Sequence, residues 1–332
     1  MFSRVLIAGL IASAPALAAA DSLRFGHIQA PGSPAAMGAE KLADLAEEYS
    51  GGDLTIRIYP SAQLGDVRNL VGSVKTGALD MAEGTFPLLA DVVPEYNVYN
   101  AGYFYSDWSQ LDRIVHGEEF GQIWDTRLAE ETGMQIIGAF YYGSRNLTTN
   151  GVAAKSPADL EGRKIRSVPN EMSLAVVTGL GAQPTPVPFA DLFQALSQGV
   201  VDGQENPLPT IMAEKFYEVQ DTLVLTNHQL IALPWIINDR AFEGLTPENQ
   251  DALLKAATEA AEYATNLTIE EEKTLAERLG AEGMTVVTVE DGIDDAAFRS
   301  AVQAEVETRF EGKIWPEGLS DQVRQALGTD GS

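Results

Sequence analysis

The sequence contains no cysteine, which excludes disulfides, thiolate metal sites and a lipid anchor on an N-terminal cysteine. Cations are scarce. Against 48 Asp+Glu there are only 22 Lys+Arg, a formal charge of −26. A surface of that sign repels nucleic acid, whose affinity rests mainly on phosphate contacts. Histidine is nearly absent, and His27, His116 and His228 share no metal-ligand spacing, so each reads as a core or surface residue. No P-loop, no G-x-G-x-x-G after a strand and no G-x-S-x-G elbow occurs. Gly179-Leu180-Gly181 lacks the third glycine. No metal, cofactor or nucleic-acid partner is therefore expected. Beyond residue 20 no apolar run reaches the roughly 20 residues a membrane span needs.

What is present begins at the N-terminus. Arg4 precedes the uncharged apolar stretch Val5–Ala14, and Ala16-Leu17-Ala18-Ala19-Ala20 stands before Asp21. That pattern predicts a secretory signal over residues 1–20, cleaved after Ala18 or Ala20, and hence a periplasmic location. The 332 residues fit about two domains, and 45% hydrophobic residues supply their cores. Glu118-Glu119 and Glu270-Glu271-Glu272 read as solvated faces. An anionic ligand would have to be held by a few local arginines, because salt screens the global field within about 8 Å.

Along the chain, strands and helices alternate. Leu54–Tyr59 carries aliphatic residues at every second position, a strand. Asp66 caps a predicted helix that ends at Thr76 before Gly77, and Ala78–Ala82 reads as the next strand. Met134–Tyr141 is a near-continuous apolar run, a buried strand. Lys164–Val168 and Met284–Val289 are shorter ones. The rhythm is that of α/β layers. Thr246-Pro247-Glu248 opens a helix whose apolar residues recur to Leu279. Unbroken, it would be about 50 Å long, more than one lobe is wide. The alternative is two helices parted near Asn266.

The chemistry-bearing residues are basic ones in apolar company. Arg145 follows the buried strand, after Gly143-Ser144. Arg166 lies inside the Lys164–Val168 strand on the face opposite Ile165. Pro207 holds Asn206 extended. In open α/β sheets ligands collect at the carboxyl ends of strands. A guanidinium meets a carboxylate in two parallel hydrogen bonds, and an amide both donates and accepts. Each arginine is either a ligand clamp or part of an internal salt bridge.

Taken together, Asp159–Arg166, Gly181-Ala182-Gln183-Pro184 and above all GVVDGQENP at Gly199–Pro207 resemble the solute-binding subunits of TRAP (tripartite ATP-independent periplasmic) transporters, the DctP-type family. Gly143-Ser144-Arg145, Gln63–Asp66 and Leu79-Asp80 extend the resemblance from about Arg24 past Gln250. It implies a two-lobed, type II-like α/β binding protein with crossing hinge strands and a long helix spanning both lobes. It implies that Arg166 takes a ligand carboxylate, supported by Arg145 and Asn206. Phe189 matches an aromatic that packs on sugar-like acids, and Glu83 a carboxylate that reads the far end of the ligand. Glu83 and Gln29 would read hydroxyls or an amine, and Trp235 either stacks on a ring or fills the core. Phe86 stands where sialic-acid binders carry an arginine, so sialic acid is not expected.

The expectation is thus a monomeric, non-enzymatic protein that captures a small organic acid and hands it to the membrane permease of a TRAP transporter. Lobe I would comprise 21–142 with about 232–265, and lobe II 143–231 with about 266–332. An exported lyase or isomerase, or a sensory module for a carboxylate, remain the alternatives.

Overall fold

The computed structural model describes residues 21–329; the predicted export signal over 1–20 lies outside them. Among the described residues nine strands form one sheet. They are β1 (Asp21–Gly26), β2 (Leu54–Tyr59), β3 (Met81–Glu83), β4 (Met134–Thr149), β5 (Lys164–Ser167), β6 (Gln183–Pro186), β7 (Gly203–Pro207), β8 (Thr222–Asn238) and β9 (Thr285–Val287). Their order is β2-β1-β3-β8-β4-β7-β5-β6, with β9 on β8. β1 runs parallel to β2 and β3, while β5 runs parallel to β6 and β7. Between these groups lies the antiparallel pair β4 and β8, paired from Met134↔Asn238 to Thr149↔Thr222 with three shifts of register. Both long strands cross from one group to the other, the two-lobed α/β plan the sequence implies. At one edge, β6 reads Gln183-Pro184-Thr185-Pro186, and the N–H groups of Gln183 and Val187 turn inward to Arg163 and Ser167 carbonyls at 2.8 and 3.3 Å.

Local sequence accounts for most elements. Asp66 caps the helix Val67–Thr76 by accepting from Asn69 N at 2.8 Å, and Gly77 ends it at φ 77°. The strand expected over Ala78–Ala82 starts later, at Met81. Leu79 N bonds back to Ser73 O, and the Asp80 carboxylate is held by Arg24 at 2.9 Å, so residues 78–80 form the turn. The late strand is likewise shorter than expected, Thr285–Val287.

The larger correction concerns β4. It does not end at Tyr141 but runs to Thr149, with its register against β8 shifting between Tyr141 and Gly143 and again between Arg145 and Leu147. Gly143 adopts φ 125°, and a Cβ there would lie 2.7 Å from Pro207 Cβ and 2.9 Å from Glu272 Oε1. Only glycine fits this bulge. Arg145 therefore sits inside a crossing strand, not beyond the end of one.

The helix Pro247–Ala281 is continuous over 35 residues, about 52 Å, without a break near Asn266. Thr246 caps it. Its stretch Leu253–Ala264 packs into the cluster around β1 and β2, where a Cβ on Gly38 would stand 2.6 Å from Ala264 Cβ. Its Leu275 and Leu279 belong to a second cluster with Leu192, Leu196 and Phe216. One helix thus serves both halves. Glu272, expected on a solvated face, turns inward instead: its Oε1 accepts from Ser144 N at 2.7 Å at the β4 bulge, and burial raises its pKa.

Candidate functional site

A cavity of about 290 Å³ opens where the two halves meet at the crossing strands. Arg166 on β5 pairs with Gln204 on β7, and Asn206 on β7 pairs with Asn146 on β4 next to Arg145. Neighbouring strands lie about 4.8 Å apart, so this register places Arg166, Asn206 and Arg145 on adjacent strands, and Arg145 Nη2 meets Asn206 Oδ1 at 3.2 Å. Glu83 closes β3 on the opposite side of the crossing pair, and Gln29 follows β1. These five, with Phe189, line the cavity.

Arg166 is 1% exposed. Its Nε donates to Val187 O at 2.9 Å, and its guanidinium lies 5.9 Å from the Phe189 ring centroid. Nη1 is buried without a partner. Burial, reinforced by the Arg145 charge, lowers its pKa to about 10, so it stays protonated at neutral pH. A buried guanidinium with an unmade hydrogen bond is costly. An oxyanion entering the cavity removes that cost.

Arg145, by contrast, is already paired. Its Nε bonds Glu205 Oε2, and its Nη2 reaches Glu205 Oε1 at 2.9 Å and Asn206 Oδ1 at 3.2 Å. Burial alone would raise the Glu205 carboxyl, but the Arg145 charge and bonds from His228 and Arg145 overcome it and hold it at about 2. Burial keeps the His228 pKa below its ordinary value. The neutral ring then accepts from Thr226 Oγ1 at Nδ1 and donates Nε2–H to Glu205 at 3.3 Å. Arg145 thus spends its charge inside the protein and fixes Asn206. Arg166 carries the unspent one.

On the far wall a hydrogen-bonded chain has a fixed direction. Thr210 Oγ1 donates to the Tyr142 hydroxyl at 2.7 Å, Tyr142 donates to Gln29 Oε1 at 3.0 Å, and Gln29 Nε2 donates to Glu83 Oε1 at 2.5 Å. Glu83 Oε2 is left buried and unpartnered, as is Asn100 Oδ1 on the same cavity. Burial raises Glu83 to about 7, against the hydrogen bond from Gln29. The unfolded carboxyl titrates near 4.5, so the folded state loses stability as pH rises between these values. Glu83→Gln should therefore stabilise the empty protein at pH 8 by on the order of 3 kcal/mol, an advantage that vanishes at pH 4. Urea melts at the two pH values measure it.

Trp235 does not join the cavity. It is 0% exposed and packs on Phe25 and Phe140 at ring distances of 6.3 and 5.1 Å. Tyr142, Asn100 and Glu205 were not singled out by sequence reasoning. Glu205 stands beside Asn206 in the motif already quoted, whereas nothing local marks Tyr142 or Asn100. His27 and His228 are buried, and His116 pairs with Asp112 on the surface at 2.9 Å. Among the described residues no group of three or more His, Asp or Glu could hold a metal, and no helix is long and apolar enough to cross a membrane.

A family described as bacterial extracellular solute-binding protein, family 7 (DctP), matches residues 25–313. The chain belongs to that family. Among its family 7 relatives is the 2,3-diketo-L-gulonate-binding periplasmic protein YiaO of Escherichia coli, 31% identical over 306 residues, 92% of each chain. The C4-dicarboxylate-binding periplasmic protein DctP of Rhodobacter capsulatus is 29% identical over 277 residues, 83% of this chain and 82% of its own. A TRAP periplasmic solute-binding protein of Actinobacillus succinogenes, solved with bound L-galactonate, superposes with a TM-score of 0.86 at 28% identity, covering 92% of this chain and 99% of that one. These family 7 proteins are binding proteins, and the Arg166 cleft of this chain lies at the junction of the same two-lobed fold.

Proposed function

We propose that this chain is the periplasmic receptor of a TRAP transporter for a small organic carboxylate, a hydroxylated or sugar-derived acid. The observation that carries the reading is the buried Arg166 guanidinium, on the cavity lining, whose Nη1 has no partner. The ligand carboxylate bonds Arg166, Asn206 and Arg145 flank it, Phe189 packs on its carbon skeleton, and Glu83 with Gln29 reads its hydroxyls. Family 7 relatives that bind sugar acids support the class, and the core position of Phe86 leaves no arginine there for a sialic acid.

In this reading the halves divide as 21–142 with about 232–265 and 143–231 with about 266–332. They close about β4 and β8, and a ligand shifts that equilibrium only by binding the closed form more tightly than the open one. The closed form docks on the membrane permease; the receptor is monomeric, is exported on a signal at 1–20, and performs no covalent chemistry. A thermal-shift screen against sugar acids, dicarboxylates, keto acids, amino acids and sulfonates tests it. A carboxylate at a hundred times its dissociation constant should add about 2.7 kcal/mol. A panel in which no carboxylate stabilises the protein overturns the reading.

A further inference from the structure

Two ionisable groups on the cavity have no partner of opposite charge in the protein. Arg145 is cancelled by Glu205. Arg166 forms no salt bridge, and neither does Glu83, among the described residues. The cavity therefore holds one open positive group on β5 and one open negative group on β3, with the crossing strands between them. A ligand seated with its carboxylate on Arg166 presents its other end to the wall of Glu83.

That wall has a fixed polarity. Because Tyr142 gives its proton to Gln29 Oε1, the Gln29 amide must point its N–H at Glu83 Oε1. Of the atoms left without a partner on this side of the cavity, Glu83 Oε2 and Asn100 Oδ1 are acceptors on residues at least nine-tenths buried, while Thr85 Oγ1 is a hydroxyl that can donate or accept. Hydroxyl groups satisfy them. A second carboxylate brings only acceptors and a like charge, which costs several kcal/mol at a desolvated contact. The other ionisable groups around Glu83 do not offset this. Tyr142 is held neutral by burial, and His27 is lowered by burial to about 4. Arg145 is already paired. Arg68, at the mouth with Asp66, is largely exposed and faces Asp91 at 3.8 Å.

We propose that Glu83 sets the charge of the ligand: the cleft accepts a monocarboxylate with hydroxyl donors at its far end and rejects the corresponding dicarboxylate. The inference deepens the carboxylate reading of the cleft and rests on it. Rejection is relieved when Glu83 takes up a proton, which its titration near 7 permits; a bound dianion should then arrive with about one proton.

The test uses acid pairs that differ only in oxidation of the terminal CH₂OH to carboxylate: L-galactonate and galactarate, erythronate and meso-tartrate, 4-hydroxybutyrate and succinate. Isothermal titration at pH 8 and pH 6 gives the affinity ratio within each pair, for the wild type and for Glu83→Gln. In the wild type at pH 8 the dianion should bind about tenfold more weakly than its monoanion, the cost of protonating a group that titrates near 7. The gap should shrink about tenfold at pH 6, with proton uptake visible as a dependence on buffer ionisation heat. Glu83→Gln should narrow the gap at pH 8 and remove its pH dependence. A dianion that binds the wild type as tightly as its monoanion at pH 8, or a ratio indifferent to pH, overturns the charge rule; the wild-type comparison alone decides should Glu83→Gln fold poorly. If no member of any pair binds, or Arg166→Ala binds them undiminished, the carboxylate reading itself falls and the charge rule with it.

Discussion

Replacing Arg166 with alanine is expected to weaken binding of the acid found by the screen by about 2–5 kcal/mol, roughly 30- to 5,000-fold. The loss is large because the guanidinium is fully desolvated before the ligand arrives, its Nε anchored on Val187 O and Nη1 waiting. Arg166→Lys should fall between, since an ammonium keeps the charge but not the planar fork. The empty protein should respond differently. Removing an uncompensated buried cation takes away an unfavourable group along with one hydrogen bond to Val187, so the melting temperature without ligand should stay level or rise. Titration calorimetry and an unliganded melt, run together, separate the two roles. An alanine variant that binds normally but melts far lower would make Arg166 a structural residue.

The second large effect concerns the neighbouring arginine. Glu205→Gln leaves Arg145 charged, buried and unpaired, and should destabilise the protein by about 3–5 kcal/mol. Replacing both Arg145 and Glu205 by leucine should recover most of that loss, because the pair's solvation cost disappears with it. The pH dependence has a definite sign. Glu205 titrates near 2 in the folded protein and near 4.5 unfolded, so its contribution is complete above pH 4.5 and is lost as pH falls from there toward 2. The difference between wild type and Glu205→Gln should therefore be greatest near neutral pH and shrink in acid. Equal urea midpoints for the two proteins at pH 7 would contradict the buried-pair account.

Much of this architecture is legible in local sequence because local physics decides it. The alternation in Leu54–Tyr59, the Asp66 cap with its Gly77 stop and the Thr246-Pro247 helix start each act over a few residues. Arg166 was visible for the same reason, a charged residue opposite Ile165 in a short buried strand. The second half of β4 was not. From Ser144 to Thr149 its sequence turns polar, which reads as a strand leaving the core. Yet Asn146 and Thr148 are buried, with partners on Ser144 O and on Gln204 and Gln220. Tyr142 was hidden by its apolar neighbours, since its hydroxyl meets groups 113 and 68 residues away. Trp235 lies in an apolar run whose face only the packing of Phe25 and Phe140 determines.

The edge strand β6 has one more consequence. Successive N–H groups of a strand point to opposite sides, and in β6 those of Gln183, Thr185 and Val187 face β5. The outward positions are Pro184 and Pro186, which have no N–H at all. This border of the sheet therefore offers no donor to a passing extended chain, and two copies cannot extend their sheets into one another there. The protein thus resists self-association along that border by covalent structure, without relying on charge.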